Sequence, residues 1–201
     1  MLTRRTLMTT AAAAFAFARP AQAAPIPLNA LSQYLNSLRT AEADFTQINP
    51  DGTISTGRIF IHRPGRVRFD YNEPDETLVM AGGGQVAVFD GKSNRGRPEQ
   101  YPLSQTPLNI ILERNVDLAR RDMVVGHRQD GVKTIVVAQD PANPQYGQIE
   151  LVFTAGPTQL RQWVIVDGQG SRTTVVLGDL STGGQFPSRY FSIQSEIARR
   201  G

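Results

Sequence analysis

Cysteine is absent from this chain, and histidine occurs only at His62 and His127. Without thiols there is no disulfide framework, no thiol redox chemistry and no zinc site of the Cys type. The two histidines share no ligand spacing, and each reads as a strand-surface residue. No Gly-x-Ser-x-Gly elbow occurs. Gly82-Gly83-Gly84 lacks both the strand-to-helix context and the Lys-Ser/Thr of a phosphate loop. Acid pairs such as Asp75-Glu76 read as solvated turn residues, and Arg120-Arg121 as a solvated edge. Beyond the N-terminus, no stretch is long and apolar enough for a transmembrane helix. With nothing to carry catalysis, a metal or a cofactor, the sequence points to a binding protein that is not an enzyme.

The N-terminus has a different character. Thr3-Arg4-Arg5 is basic, Leu7 to Ala18 is a short alanine-rich run, and Ala21-Gln22-Ala23 is a small-x-small cleavage pattern. Together they read as an export signal over residues 1–23, either an ordinary secretory signal or a twin-arginine one. No cysteine lies near the site, so the mature protein is not expected to carry its own lipid anchor. Removing Arg4, Arg5 and Arg19 from the 21 basic residues leaves 18, level with the 18 acids. In a neutral mature chain nothing favours a nucleic-acid footprint, and no nucleic-acid partner is expected. Residues 24–201 suit a single domain with a sizeable core.

Pro27 to Leu38 reads as a helix, with Leu28, Leu31, Leu35 and Leu38 in one stripe. Short strands follow, separated by turn signals such as Asn49-Pro50-Asp51-Gly52, Asp130-Gly131 and Asp167-Gly168. Ser93 to Pro102 reads as a polar loop. Thr106-Pro107 opens a second helix through Leu112, with Thr106 expected as N-cap. The pattern predicts about 10–11 strands of one antiparallel sheet with two to three helices. A sheet of that size must curl or close.

The stretch from Gly57 to Tyr71 is the most informative. Two strands meet at Arg63-Pro64-Gly65. In the second, Val67, Phe69 and Tyr71 alternate with Arg66, Arg68 and Asp70, which implies one apolar and one wet face. On pattern alone, Arg63 is either a solvated turn cation or a residue with a task outside the core. Val67, Phe69 and Tyr71 are either ordinary core or the lining of a cavity.

An ordered set of motifs resembles the periplasmic outer-membrane lipoprotein carrier family (LolA). Phe45-Thr46-Gln47, Arg63-Pro64-Gly65 with Phe69-Asp70-Tyr71 and Pro74, Val88-Phe89-Asp90, and Thr106-Pro107-Leu108 follow the family's order and spacing across about residues 28 to 193. There are departures. Phe60 and Phe69 stand where the family usually has Trp, Ala87 where it has an aromatic, and Gly82-Gly83 where it has Asp-Gly. The sole tryptophan is Trp163, and the tail after Phe191 is short.

The resemblance implies a mainly β fold with a helical lid (α+β), a half-open antiparallel β-barrel whose helices close its mouth. It implies a periplasmic, monomeric carrier that binds the acyl chains of lipoproteins. Cargo would come from an inner-membrane ABC-type lipoprotein-releasing complex and go to an outer-membrane acceptor or to the outer membrane directly. Arg63 falls on the family's lid-latching arginine. The acyl-chain cavity is expected from Leu31, Leu35, Phe45, Val67, Phe69, Tyr71, Leu108 and Ile111. The competing reading is a curved-sheet regulatory module that senses lipids or lipoproteins in envelope stress signalling. If the N-terminus is an export signal, mass spectrometry of protein from the periplasm should find a chain starting at Ala24; an intact Met1 there would refute the assignment.

Overall fold

The computed structural model describes residues 24–92, 96–119 and 122–201. Residues 1–23, read as the signal, residues 93–95, the start of the stretch read as a loop, and Arg120-Arg121, read as a solvated edge, lie outside the described residues. The described chain begins with helix α1 (Leu28–Ser37). Strands β1 (Thr40–Ile48), β2 (Ile54–His62), β3 (Val67–Tyr71), β4 (Leu78–Gly82), β5 (Gln85–Phe89) and β6 (Glu99–Pro102) form the first half. A 3-10 turn (Leu103–Gln105) and a one-turn helix, α2 (Asn109–Leu112), follow. The second half comprises β7 (Val124–Asp130), β8 (Lys133–Gln139), β9 (Gln148–Thr154), β10 (Gln159–Val166), β11 (Arg172–Leu177) and the short β12 (Ser181–Thr182). Helix α3 (Ile193–Arg200) ends the chain.

All twelve strands join one antiparallel sheet in the order β6-β5-β4-β3-β2-β1-β11-β10-β9-β8-β7, with β12 paired to β1. The sheet is curled but open, because its edges β6 and β7 are not paired to each other. The chain crosses from one edge to the other through residues 103–123, which include α2. The expectation of 10–11 strands falls short by β6 and β12. β6 lies in the stretch read as a loop. Its sequence Glu99-Gln100-Tyr101-Pro102 has no alternation to read, and it is a strand because β5 offers it a ladder. β12 is two residues long, too short for any periodic signal.

The concave face carries the main core. Leu31 and Leu35 of α1, Ile59 and Ile61, Val67 and Phe69, Leu151, Phe153 and Trp163 share one buried cluster with lid residues Leu108, Ile111 and Leu118. β1 and β2 pair over their full nine residues, and β1 passes the ladder on to β11. The two halves of the sheet are therefore joined through β1.

The convex face of the first half is not the wet face that alternation implied. Arg68 is 7% exposed. The C-terminal segment lies across it: Phe60 packs edge-on against Phe186 and Tyr190, and Ile193 and Ile197 cover Leu78, Met80, Ala87 and Phe89. Gly82 permits this approach, since a β-carbon there would lie 2.1 Å from the carbonyl oxygen of Phe191. The short tail is thus a helix, N-capped by the Ser192 hydroxyl, which accepts from the Ser195 amide at 3.2 Å.

Charge organises this contact. Arg68 donates to Asp70 at 2.9 Å and to Glu196 at 3.3 Å, and its guanidinium lies 4.4 Å from the centre of the Tyr190 ring. Glu196 also accepts from Arg199 and, at 2.6 Å, from Arg200. Burial opposes the Glu196 charge, but donation from Arg199 and Arg200 and the field of Arg68 overcome it and push the carboxyl from 4.5 down to about 2. A depressed carboxyl stabilises the fold above its ordinary pKa, and that contribution fades as pH falls from about 4.5 towards 2. Glu196→Gln should therefore lower stability at pH 7 by about 1–3 kcal/mol and flatten the stability loss as pH falls from about 4.5 towards 2, measured by urea unfolding at each pH.

Candidate functional site: a cavity under a latched lid

Beneath the crossing segment the core is incomplete. A cavity of about 290 Å³ remains between the lid and the sheet. Its walls come from Phe69 and Tyr71 of β3, Val79 and Val86 of β4 and β5, Tyr101 of β6, Trp163 and Ile165 of β10, and Val175 of β11. Pro107 and Leu108 close it from the lid side. A larger hollow of about 450 Å³ shares Thr106, Pro107 and Tyr146 with it, but is lined by Asn109, Glu113, Asp122 and Asp140. Three carboxylates unsuit that second space for apolar matter; the first has only Asp167, with Gln47 and Thr173, at its polar side, its other walls are mostly apolar, and it is the candidate site.

Aromatic rings make the cavity's rigid side. Phe45 meets Phe69 at 5.5 Å and Tyr71 at 5.0 Å, and Phe69 meets Trp163 at 6.2 Å, all edge to face. Tyr71 spends its hydroxyl on Gln47, donating to Oε1 at 2.7 Å. Burial pushes that phenol up to about 12, even though Gln47 offsets part of the shift. The Tyr71 ring in the cavity wall therefore stays neutral at physiological pH.

Of the eight residues expected to line an acyl cavity, all lie in the same interior cluster or packed against it. Only Phe69, Tyr71 and Leu108 border the open space. Leu31, Leu35, Phe45, Val67 and Ile111 are packed core behind it in this closed arrangement. Sequence reasoning missed Trp163, Tyr101, Val79, Val86, Ile165 and Val175. Alternation places the last four on the inward face of their strands, but nothing in a single sequence says which inward residues face a gap and which face a neighbour.

Arg63 sits on the hairpin between β2 and β3. It was expected outside the core, yet it is 7% exposed. Its Nη2 donates to the carbonyl oxygen of Glu113 at 2.5 Å and to Asn36 Oδ1 at 3.3 Å. Two residues on, the Gly65 amide donates to the Leu112 carbonyl at 2.8 Å. Gly65 has φ 69°, a left-handed turn conformation that glycine adopts without strain. The hairpin thus supplies two donors to the last carbonyls of α2, which no continuing helix would satisfy. Burial and the like charge of Arg39 lower the Arg63 pKa, with Glu113 acting against them. An arginine remains charged under such a shift, so its bond to the Glu113 carbonyl is charge-assisted.

The lid helix itself differs from expectation. Thr106 does not N-cap it. Its backbone is extended (φ −125°, ψ 142°), and its hydroxyl donates back to Leu103 at 2.8 Å. The chain needs this extended step to bring Leu108 over the cavity, and the helix is left with four residues. Nor are the histidines simple surface residues: His62 Nδ1 is buried, and His127 Nε2 lies 3.0 Å from the Ile26 carbonyl. Among the described residues, no cluster of His, Asp or Glu could hold a metal.

Residues 36–194 match the family model described as "Outer membrane lipoprotein carrier protein LolA". The chain belongs to the LolA family. An outer-membrane lipoprotein carrier protein of Azotobacter vinelandii is 26% identical over 173 residues, covering 82% of each chain. That of Methylococcus capsulatus is 36% identical over 74 residues, 34% of this chain and 36% of the other. Among solved structures, a DUF1329 family protein from Desulfovibrio piger superposes with a TM-score of 0.50 at 10% identity, covering 84% of this chain and 95% of that one. That likeness concerns the fold alone. The LolA match spans the Arg63 hairpin, the lid and every strand from β1 to β12.

If Arg63 holds the lid shut, its removal has a defined signature. Arg63→Leu should increase uptake of an apolar dye by the empty protein. Because Arg63 is buried with one donor bonded to a lid carbonyl, the variant should also lose about 1–3 kcal/mol of stability. Unchanged dye uptake in a folded variant would show that the lid is held by packing instead.

Proposed function

We propose that this protein is a lipoprotein carrier whose acyl-binding site is the cavity under the lid. One observation carries the reading: a largely apolar cavity sits beneath the segment that leads into a one-turn helix, and the last carbonyls of that helix are held by Arg63 and Gly65 of a sheet hairpin. A space bounded by rings and aliphatic groups accepts hydrocarbon; a lid fastened by two or three hydrogen bonds can open.

Magnitudes favour a gate of this kind. Three acyl chains of about fifteen methylenes, at about 0.8 kcal/mol each, would yield roughly 36 kcal/mol if wholly buried. Non-covalent affinity saturates near 18–21 kcal/mol. A carrier that buried its whole cargo would not release it. Here the cavity, about 290 Å³, lies just below the ~300–1,000 Å³ typical of ligand sites. Acyl chains enter only as the lid lifts, and each bond the lid gives up is subtracted from binding. The latch so tunes the net affinity towards a transferable load.

On this reading the mature protein is residues 24–201, a single carrier domain released into the periplasm by cleavage of the signal over 1–23. It works as a monomer and without catalysis. It receives acylated lipoproteins from an inner-membrane ABC-type releasing complex and passes them to an outer-membrane acceptor or to the membrane itself. Among the described residues no helix is long and apolar enough to cross a membrane.

The test places a charge in the cavity wall. Val67 is packed core, so a charge there would probe folding. Val79 is half-buried, borders the cavity and pairs with Phe69 across β3 and β4. An unpaired carboxylate at this point either draws in water or stays protonated, and both disfavour hydrocarbon. Val79→Glu should fold, as judged by circular dichroism, and should lose about tenfold or more in capture of acylated lipoprotein. Non-acylated lipoprotein should bind neither form. A folded Val79→Glu protein that captures acylated cargo like the wild type would overturn the assignment.

A further inference from the structure

The latch has a second anchor that its hairpin does not supply. Asn36, half-buried on α1, faces the segment that follows α2. Its Nδ2 donates to the Val116 carbonyl at 2.8 Å, and its Oδ1 accepts from the Val116 amide at 2.9 Å. The same Oδ1 accepts from Arg63 Nη2 at 3.3 Å. One amide group thus grips both backbone groups of one residue, as a neighbouring strand would, and also touches the latch. A turn earlier on α1, the Ser32 hydroxyl accepts from the Leu118 amide at 2.9 Å while donating to Leu28. Helix α1 is itself held to the sheet: the Tyr34 hydroxyl accepts from the Leu160 amide at 3.0 Å, and its ring packs edge-on against Phe153.

We propose that Asn36 is a positioning residue of the latch: it fixes Val116 to α1 and thereby sets the Glu113 carbonyl within reach of Arg63. The inference rests on reading Arg63 as the lid latch. Glu113 lies three residues before Val116, a span too short to wander far once Val116 is held. Arg63 reaches α2 from the sheet side and Asn36 holds the trailing chain from the helix side, so the Glu113 carbonyl is caught between two fixed points. With Asn36 absent, the trailing segment loses both backbone bonds at Val116, and Arg63 loses both an acceptor and a stationary target. Helix α1 is then part of the gate's frame, and lid opening is confined to residues 103–113.

Amide hydrogen exchange on the empty mature protein tests this, with the Gly65 amide as reporter. Gly65 donates to Leu112 of the lid and is not hydrogen-bonded to Asn36. Asn36→Ala should speed Gly65 exchange by about tenfold and raise apolar dye uptake towards the Arg63→Leu level. The His62 amide, which bonds to Arg66 within the hairpin, should keep its protection and so report that the fold is intact. Asn36→Asp retains acceptors for Val116 and Arg63 and should keep Gly65 within about threefold of wild type. The double variant Asn36→Ala with Arg63→Leu should exchange no faster at Gly65 than Arg63→Leu alone. If Asn36→Ala accelerates Val116 but leaves Gly65 and dye uptake as in wild type, Asn36 is a local fastening and the proposal fails. Equal acceleration by Asn36→Ala and Asn36→Asp would also overturn it. No lipoprotein enters these measurements, so failed capture of acylated cargo by the wild type would count against the carrier reading without touching the latch.

Discussion

A helix of one turn cannot satisfy its own carbonyls, and the closed form of this protein depends on who satisfies them instead. In α2 the answer is a hairpin from the far side of the core. Gly65 takes the Leu112 carbonyl and Arg63 takes that of Glu113. Such bonds are individually modest, about 1 kcal/mol net and somewhat more when one partner is charged. They matter because the lid covers a cavity that contributes no packing of its own. Where a filled core would hold a helix down by contact, here hydrogen bonds must do part of that task.

The sheet that carries the latch is braced from behind. Of the strands whose inner faces border the cavity, β3 to β5 have their outer faces covered by the C-terminal segment, with Arg68 and Glu196 buried between. The inner face therefore does not need a permanently filled core to hold its strands in place. The second half of the sheet has no counterpart to this brace among the described residues. Its rigidity comes from the long ladders of β8 to β11 and from α1, which is tied to β10 at Leu160.

Much of this was legible in the sequence, for physical reasons that can be named. Two-residue alternation and turn residues located the long hairpins, and the leucine spacing located α1. Arg63-Pro64-Gly65 marked the hairpin because a proline and a glycine side by side leave few other structures open. What escaped was decided by neighbours distant in the chain. Arg68 and Asp70 alternate as solvent-facing residues do, and only the returning tail buries them. Glu99 to Pro102 is a strand through its partner alone. The five core residues expected in the cavity and the six wall residues not expected there share the same apolar character. They differ in whether a side chain from another element happens to fill the space in front of them. Asn36 carried no signal at all: an asparagine late in a short helix is unremarkable until Val116, eighty positions away, comes beside it.

Trp163 is the chain's only tryptophan, and it lies in the cavity wall, 1% exposed, with the Phe69 ring edge-on against it. Intrinsic indole emission from this protein thus originates at one known place, and that place borders the space under the lid. Hydrocarbon, water or an introduced charge in the cavity would each alter the polarity around a single chromophore. The occupancy of the site is in this sense already labelled by the sequence, and can be followed in the unmodified protein by its ultraviolet fluorescence.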